Sequence, residues 1–176
     1  MKAEALRALQ KPLKERYQEQ PRAALITLKA QGRLGEGVTC KVETGKALVE
    51  VGLHPATGGD GLSVCSGNML LEALVACAGV TLCAVATAIG VEIREGMVKA
   101  EGDLDFRGTL GVSKEVPVGF QKIRLQFDLD TDASEEQLAT LIRLTERYCV
   151  VYQTLRQPAE MDVSVVSPSD TGRRQS

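Results

Sequence analysis

No tryptophan occurs among the 176 residues, and phenylalanine and tyrosine make up only 3% of them. Base-stacking platforms for single-stranded nucleic acid are therefore not evident. Positive charge is not in excess either: 21 basic against 23 acidic side chains give a net charge of −2 and an isoelectric point of 5.6, which argues against a nucleic-acid surface. Histidine occurs once, at His54. Most metal sites and catalytic triads lack their raw material here, because they need an imidazole base or several ligands. The five cysteines, at positions 40, 65, 77, 83 and 149, contain no Cys-x-x-Cys pair. No GxGxxG or GxxxxGK[ST] phosphate loop is present. The N-terminal stretch MKAEALRALQKPLKERYQEQP is too polar for the apolar core of a secretory signal, and an odd cysteine count fits a reducing compartment. A cytoplasmic location is expected.

What is present describes one soluble domain. A 44% hydrophobic, 25% charged chain of 18.9 kDa buries roughly 70% of its unfolded surface without needing a disulfide or a metal. The five cysteines thus call for another explanation.

Apolar residues at helical spacing (Ala5, Leu6, Leu9, Leu13 and Tyr17) predict an amphipathic helix over residues 3–19, stopped by Pro21. Residues 22–31 and 37–53 read as strands joined by the glycine-bearing segments Gly32-Arg33-Leu34-Gly35 and Thr44-Gly45-Lys46. His54 to Asn68 is rich in glycine and reads as an irregular loop. Residues 69–91, MLLEALVACAGVTLCAVATAIGV, carry one charge in 23 positions and reach about 35 Å as a helix, enough to cross a bilayer. Glu72, an alanine-rich rather than leucine-rich composition and the lack of a flanking basic cluster or aromatic belt argue against a membrane. The remaining reading is a core helix apolar on every side. Burying it is easier if a second copy helps, so a homodimer is expected.

Residues 92–106 and 118–130 read as two long strands, and Ser134 with Gln137 supplies a capping box for the helix SEEQLATLIRLTERY. A last strand is expected at 160–166, before a polar tail. The organisation is a helical extension over 1–21, one α+β domain over 22–166 and a mobile tail over 167–176.

Thiol chemistry is the candidate left. Cys77 lies mid-helix among apolar neighbours, where a thiol is ordinarily a small buried hydrophobe. Cys83 closes a stripe of mostly small residues (Glu72, Ala76, Gly79, Cys83) suited to close helix packing. Cys149 falls where the helix from Ser134 runs out, within reach of partners and backbone dipoles. Cys40, in a strand, and Cys65, in the loop before the central helix, stay unassigned.

The segment CSGNMLLEALVACAGVTLCAVA, followed by DASEEQLATLIRLTERYCVVYQTL, closely resembles the OsmC-like family, the relatives of osmotically inducible protein C and of the organic hydroperoxide resistance proteins. The resemblance covers roughly 22–166. It implies antiparallel sheets wrapped around long central helices in an intertwined homodimer, with each active site at the subunit interface. It implies further a hydroperoxide-reducing stress-response enzyme in which Cys77 attacks the peroxide, Cys149 resolves it and a lipoyl-type dithiol resets the pair, without metal or flavin. The family's thiolate-holding arginine corresponds to Arg33, with Arg22 as the fallback. Two departures stand out: Val150 follows Cys149 where the family has proline, and Gly67 stands ten residues before Cys77 where the family has glutamate. Glu72 does not substitute, since five residues turn it about 140° away from Cys77 around a helix. The departures keep a second reading open, a non-enzymatic redox sensor or binder of a small apolar ligand.

Overall fold

The computed structural model describes residues 32–34, 39–43 and 48–165 apart from 58 and 112, together with residues 2, 4, 5, 8 and 19. The expected N-terminal helix falls largely, and the strand 22–31 and the C-terminal tail wholly, outside the described residues. The rest folds as mixed α and β, in accord with the α+β reading.

Among the described residues from Gly32 on, six strands and four helices follow in order. Strands β1 (Gly32–Leu34), β2 (Thr39–Glu43) and β3 (Leu48–Gly52) form an antiparallel meander, to which the short β4 (Val64–Cys65) adds in parallel beside β3. Helix α1 (Ser66–Ile89) starts directly after β4, so the loop expected over His54–Asn68 is shorter. It contains a 3-10 turn at Pro55–Thr57, and its last three residues already belong to the helix. Gly90, at a positive φ of 75°, ends α1 as a left-handed cap. Strands β5 (Glu95–Leu104) and β6 (Phe120–Asp130) pair antiparallel, with the one-turn helix α2 (Phe106–Thr109) between them. Helices α3 (Glu135–Tyr148) and α4 (Val150–Arg156) complete the described chain.

One irregularity makes the β6 pattern intelligible. Phe120 and Ile123 both face inward although three positions separate them, which a regular strand of period two forbids. The ladder slips between Asp103 and Leu104: Asp103 pairs with Lys122 but Leu104 pairs with Phe120, so Gln121 is the extra residue of a bulge. The Phe120 ring lies over Gly102, where an added Cβ would come within 2.4 Å of it. On the opposite face of the pair, Lys99 bonds Asp128 and Arg124 bonds Asp103 and Glu101, all well exposed. That face is solvated, and such exposed pairs contribute little stability.

The core forms where the C-terminal half of α1 meets α3 and the inward face of β6. Leu82, Val85, Ala86, Val91 and Leu141 are buried, with Ile93, Phe127, Leu129, Leu138 and Ile142 packed against them. Helix α1, for whose burial a second copy was expected to help, is covered only in part by its own chain: Leu74, Ala78, Leu82, Val85 and Ala86 are buried, but Val80 is 72% exposed and Cys83 is exposed. Two expectations need correction. The stripe that assigned Cys83 to packing touches protein only in part, since Gly79 approaches Val98 of β5 while Glu72 and Ala76 face outward. Likewise, residues 160–165 form no strand, and Met161, Val163 and Val165 are 86–92% exposed. The alternation is genuine, but a strand needs an edge to bond, and among the described residues none lies beside it.

Candidate active site

Two thiols distant in sequence come together between α1 and the α3–α4 junction. The junction is built by its own hydrogen bonds. Ser134 and Gln137 form the expected capping box: the Gln137 amide N–H donates to Ser134 Oγ at 3.3 Å, and the Ser134 N–H donates to Gln137 Oε1 at 2.9 Å. Thus fixed, α3 runs to Tyr148 and stops at Cys149, whose backbone is extended (φ −74°, ψ 109°). Cys149 serves both helices. Its N–H donates to the Thr145 carbonyl and its own carbonyl accepts from Gln153 N–H, each at 2.9 Å. The Gln153 side chain donates back to the Glu146 carbonyl at 2.7 Å, tying α4 to α3. Cys149 is 1% exposed.

Cys77 stands half-buried on α1 where that helix packs against α4, near the Cys149 thiol, the Thr81 hydroxyl one turn along α1, and the backbone N–H groups of Val150 and Val151. Burial pushes the Cys77 thiol up, but the Val151 N–H, the Cys149 thiol, the Val150 N–H and Thr81 together bring it below its ordinary value. Cys149 moves the other way. Burial raises it first, and the Tyr152 N–H, which faces it without completing a cap hydrogen bond, does not compensate; its contact with Cys77 raises it further. The pair is therefore polarised: Cys77 is the better thiolate of the two. Both are unbridged, as are Cys65 and Cys83.

A mid-helix thiol was expected to need a cation because it lacks a helix N-terminus of its own. The cation expectation lies beyond the described side chains. Arg33 sits in β1 opposite Lys41, but its side chain is outside the described residues, as are the Cys40 side chain and all of Arg22. Gly67 occupies the first turn of α1, about 15 Å along the helix from Cys77 at 1.5 Å per residue. A Cβ there would make ordinary contacts with Phe120, Cys65 and Leu104 at 3.5–3.7 Å, at a cavity of about 210 Å³ that His54 and Cys65 also line. A glutamate at that position would not adjoin Cys77 of the same chain. His54 is engaged with its own loop, its ring stacked on Phe106 at 5.0 Å and its Nδ1 accepting from the Ala56 N–H at 3.1 Å. No cluster of metal-ligating side chains occurs among the described residues.

A second cavity, of about 420 Å³, lies between β6 and the helices. Leu74, one turn before Cys77, and Tyr152, three residues after Cys149, line it with Phe120, Ile123, Phe127 and Ile142.

The fold is an α+β chain whose central apolar helix carries Cys77 and Cys83, with Cys149 at a later helix junction facing Cys77. The chain belongs to the OsmC-like family, whose model matches residues 59–164. Solved structures share the fold at low identity. The OsmC-like protein of Mycoplasma pneumoniae superposes with a TM-score of 0.64 at 16% identity, covering 76% of this chain and 89% of that one. An organic hydroperoxide resistance protein from Elizabethkingia anophelis gives 0.62 at 17% identity, covering 78% and 93%. The organic hydroperoxide resistance protein OhrB of Bacillus subtilis gives 0.53 at 20% identity, covering 77% and 94%. No curated protein sequence matches the chain.

Proposed function

We propose that the chain is a thiol-dependent hydroperoxide reductase. The observation that carries this reading is the pair itself: a half-buried Cys77 with its thiol lowered and a buried Cys149 at the α3–α4 junction with its thiol raised, each acting on the other. The Cys77 thiolate attacks the terminal oxygen of ROOH, the O–O bond breaks, and the alkoxide leaves as ROH after taking a proton. The sulfenic acid formed on Cys77 is attacked by the Cys149 sulfur, giving a disulfide and water. An external dithiol, of the lipoyl type by family resemblance, reduces that disulfide and is itself oxidised. The cavity beside Leu74 and Tyr152, whose apolar wall of Phe120, Ile123, Phe127 and Ile142 is rimmed by Gln121, Lys122, Glu146 and Arg156, supports an organic hydroperoxide as substrate. The exposed face of α1 and the exposed Met161–Val165 segment support a homodimer as the working unit, in a reducing cytoplasm.

Turnover of cumene hydroperoxide with dihydrolipoamide tests the proposal. Cys77→Ser is expected to lower the rate at least a thousandfold. Equal rates for the variant and the native chain overturn the assignment. Consumption of a single equivalent of peroxide per Cys77, with no further turnover, supports instead a redox sensor.

A further inference from the structure

The two cavities lie end to end along one face of α1. Gly67 and Leu71 line the smaller, of about 210 Å³, and Leu74 lines the larger, of about 420 Å³. Steps of four and then three residues keep these positions on one side of a helix, so the cavities follow each other in the direction of Cys77. Phe120 of β6 lines both. Because Gln121 is the extra residue of the bulge, Phe120 faces inward with Ile123, Leu125 and Phe127. Its ring is seated between two glycines. It occupies the space of a side chain at Gly102, where an added Cβ would come within 2.4 Å of it, and its Cζ would lie 3.5 Å from a Cβ at Gly67. Close packing of this kind holds a ring in place. Behind the ring, the smaller cavity depends on the missing side chain at residue 67, since a Cβ there would point among Phe120, Cys65 and Leu104, all of which line it.

We propose that Phe120 is the specificity-determining residue of the site: its ring is the end wall of the larger cavity, admitting compact organic hydroperoxides and barring long straight-chain ones from the smaller cavity behind it. The assignment deepens the hydroperoxide-reductase reading and rests on it for the substrate, whereas the wall itself is a matter of shape. A straight alkyl tail gains from each added methylene only while the cavity has length left to take it out of water. Methylenes that meet the ring stay hydrated and add nothing to binding.

The product alcohols read the wall without turnover. Binding of straight-chain alcohols from butan-1-ol to decan-1-ol to the reduced, full-length chain, measured by isothermal titration calorimetry, is expected to strengthen about fourfold per methylene and then level off. In Phe120→Ala the levelling is expected at least two methylenes later, so that decan-1-ol binds more than tenfold tighter than to the native chain. Gly67→Leu puts a better helix former in the first turn of α1 and makes ordinary contacts at its Cβ. Combined with Phe120→Ala, it is expected to fill the opened space and return the levelling to the native length; alone, it is expected to leave the series unchanged. A native series that strengthens all the way to decan-1-ol overturns the proposal whether or not the variants fold. So does a Phe120→Ala chain that keeps native helical circular dichroism and levels off at the native length, or a Gly67→Leu chain that binds long alcohols more weakly. Turnover is read separately: kcat/KM for decyl hydroperoxide relative to cumene hydroperoxide is expected to rise at least tenfold in Phe120→Ala. Alcohol binding that shifts as described, in a chain that reduces no peroxide, leaves Phe120 assigned as the wall and removes only the reductase reading; peroxide turnover with an alcohol series indifferent to Phe120→Ala does the reverse.

Discussion

Helix α1 is nearly uniform in composition, yet its two faces live in different surroundings. Leu74, Ala78, Leu82, Val85 and Ala86 are buried, the last three in one cluster with Leu141 of α3, while Val80 and Cys83 look outward. Cys77 lies between these extremes, half-buried. The chemistry of each thiol follows from that position rather than from the helix sequence. At the boundary, Cys77 lies where α1 packs against α4 and the Cys149 thiol, whereas Cys83, six residues on, is exposed.

The sharpest way to test the contrast is to damage the covered side. Leu141 is fully buried and joins α3 to α1. Leu141→Ala is expected to cost about 2–5 kcal/mol, read as a lowered urea midpoint, because the removed methyl groups leave a cavity that the packed helices close only partly. A loss below about 1 kcal/mol would show that this side is no better packed than the other. The open side should behave differently. Val80→Lys removes no contact on which the single chain depends, so helical circular dichroism is expected to persist. If a second copy covers this face, sedimentation is expected to show the native chain as a dimer and the variant as a single copy, since an unpaired ammonium resists burial in an apolar interface. A variant that remains dimeric would show that the exposed face of α1 is not the contact.

The same contrast explains which parts were legible in the sequence. The capping box at Ser134, the end of α3 at Cys149 and the alternation of β6 are local signals, each decided within a few residues, and each is found in the structure. Burial of α1 is a different kind of quantity. Apolar composition says that the helix prefers to leave water, but not whether its own chain or another supplies the cover. The final strand failed for a related reason: Met161, Val163 and Val165 alternate as a strand should, but pairing is a property of two segments. Of the site, Cys77 and Cys149 were accessible through family resemblance, and the position of Cys149 at a helix boundary through capping signals. The nearness of the two thiols is a property of two packed helices, visible only when α4 is placed against α1.

The smallest expected effect separates the stability of the frame from the chemistry it holds. Ser134→Ala removes the hydroxyl that accepts from the Gln137 N–H and leaves Gln137 able to reach back to the Ser134 backbone, so half of the capping box remains. The expected cost is about 1 kcal/mol in a thermal or urea melt. Cys149 stands at the other end of α3, four turns away, and is held there by Thr145, Gln153 and the buried surroundings rather than by the cap. Below the melting range, the pH midpoint of iodoacetamide labelling at Cys77 is therefore expected to match that of the native chain. A midpoint that moves with the cap would mean that α3 transmits fraying along its whole length to the thiol pair, and that the junction at Cys149 is less firmly set than its hydrogen bonds require.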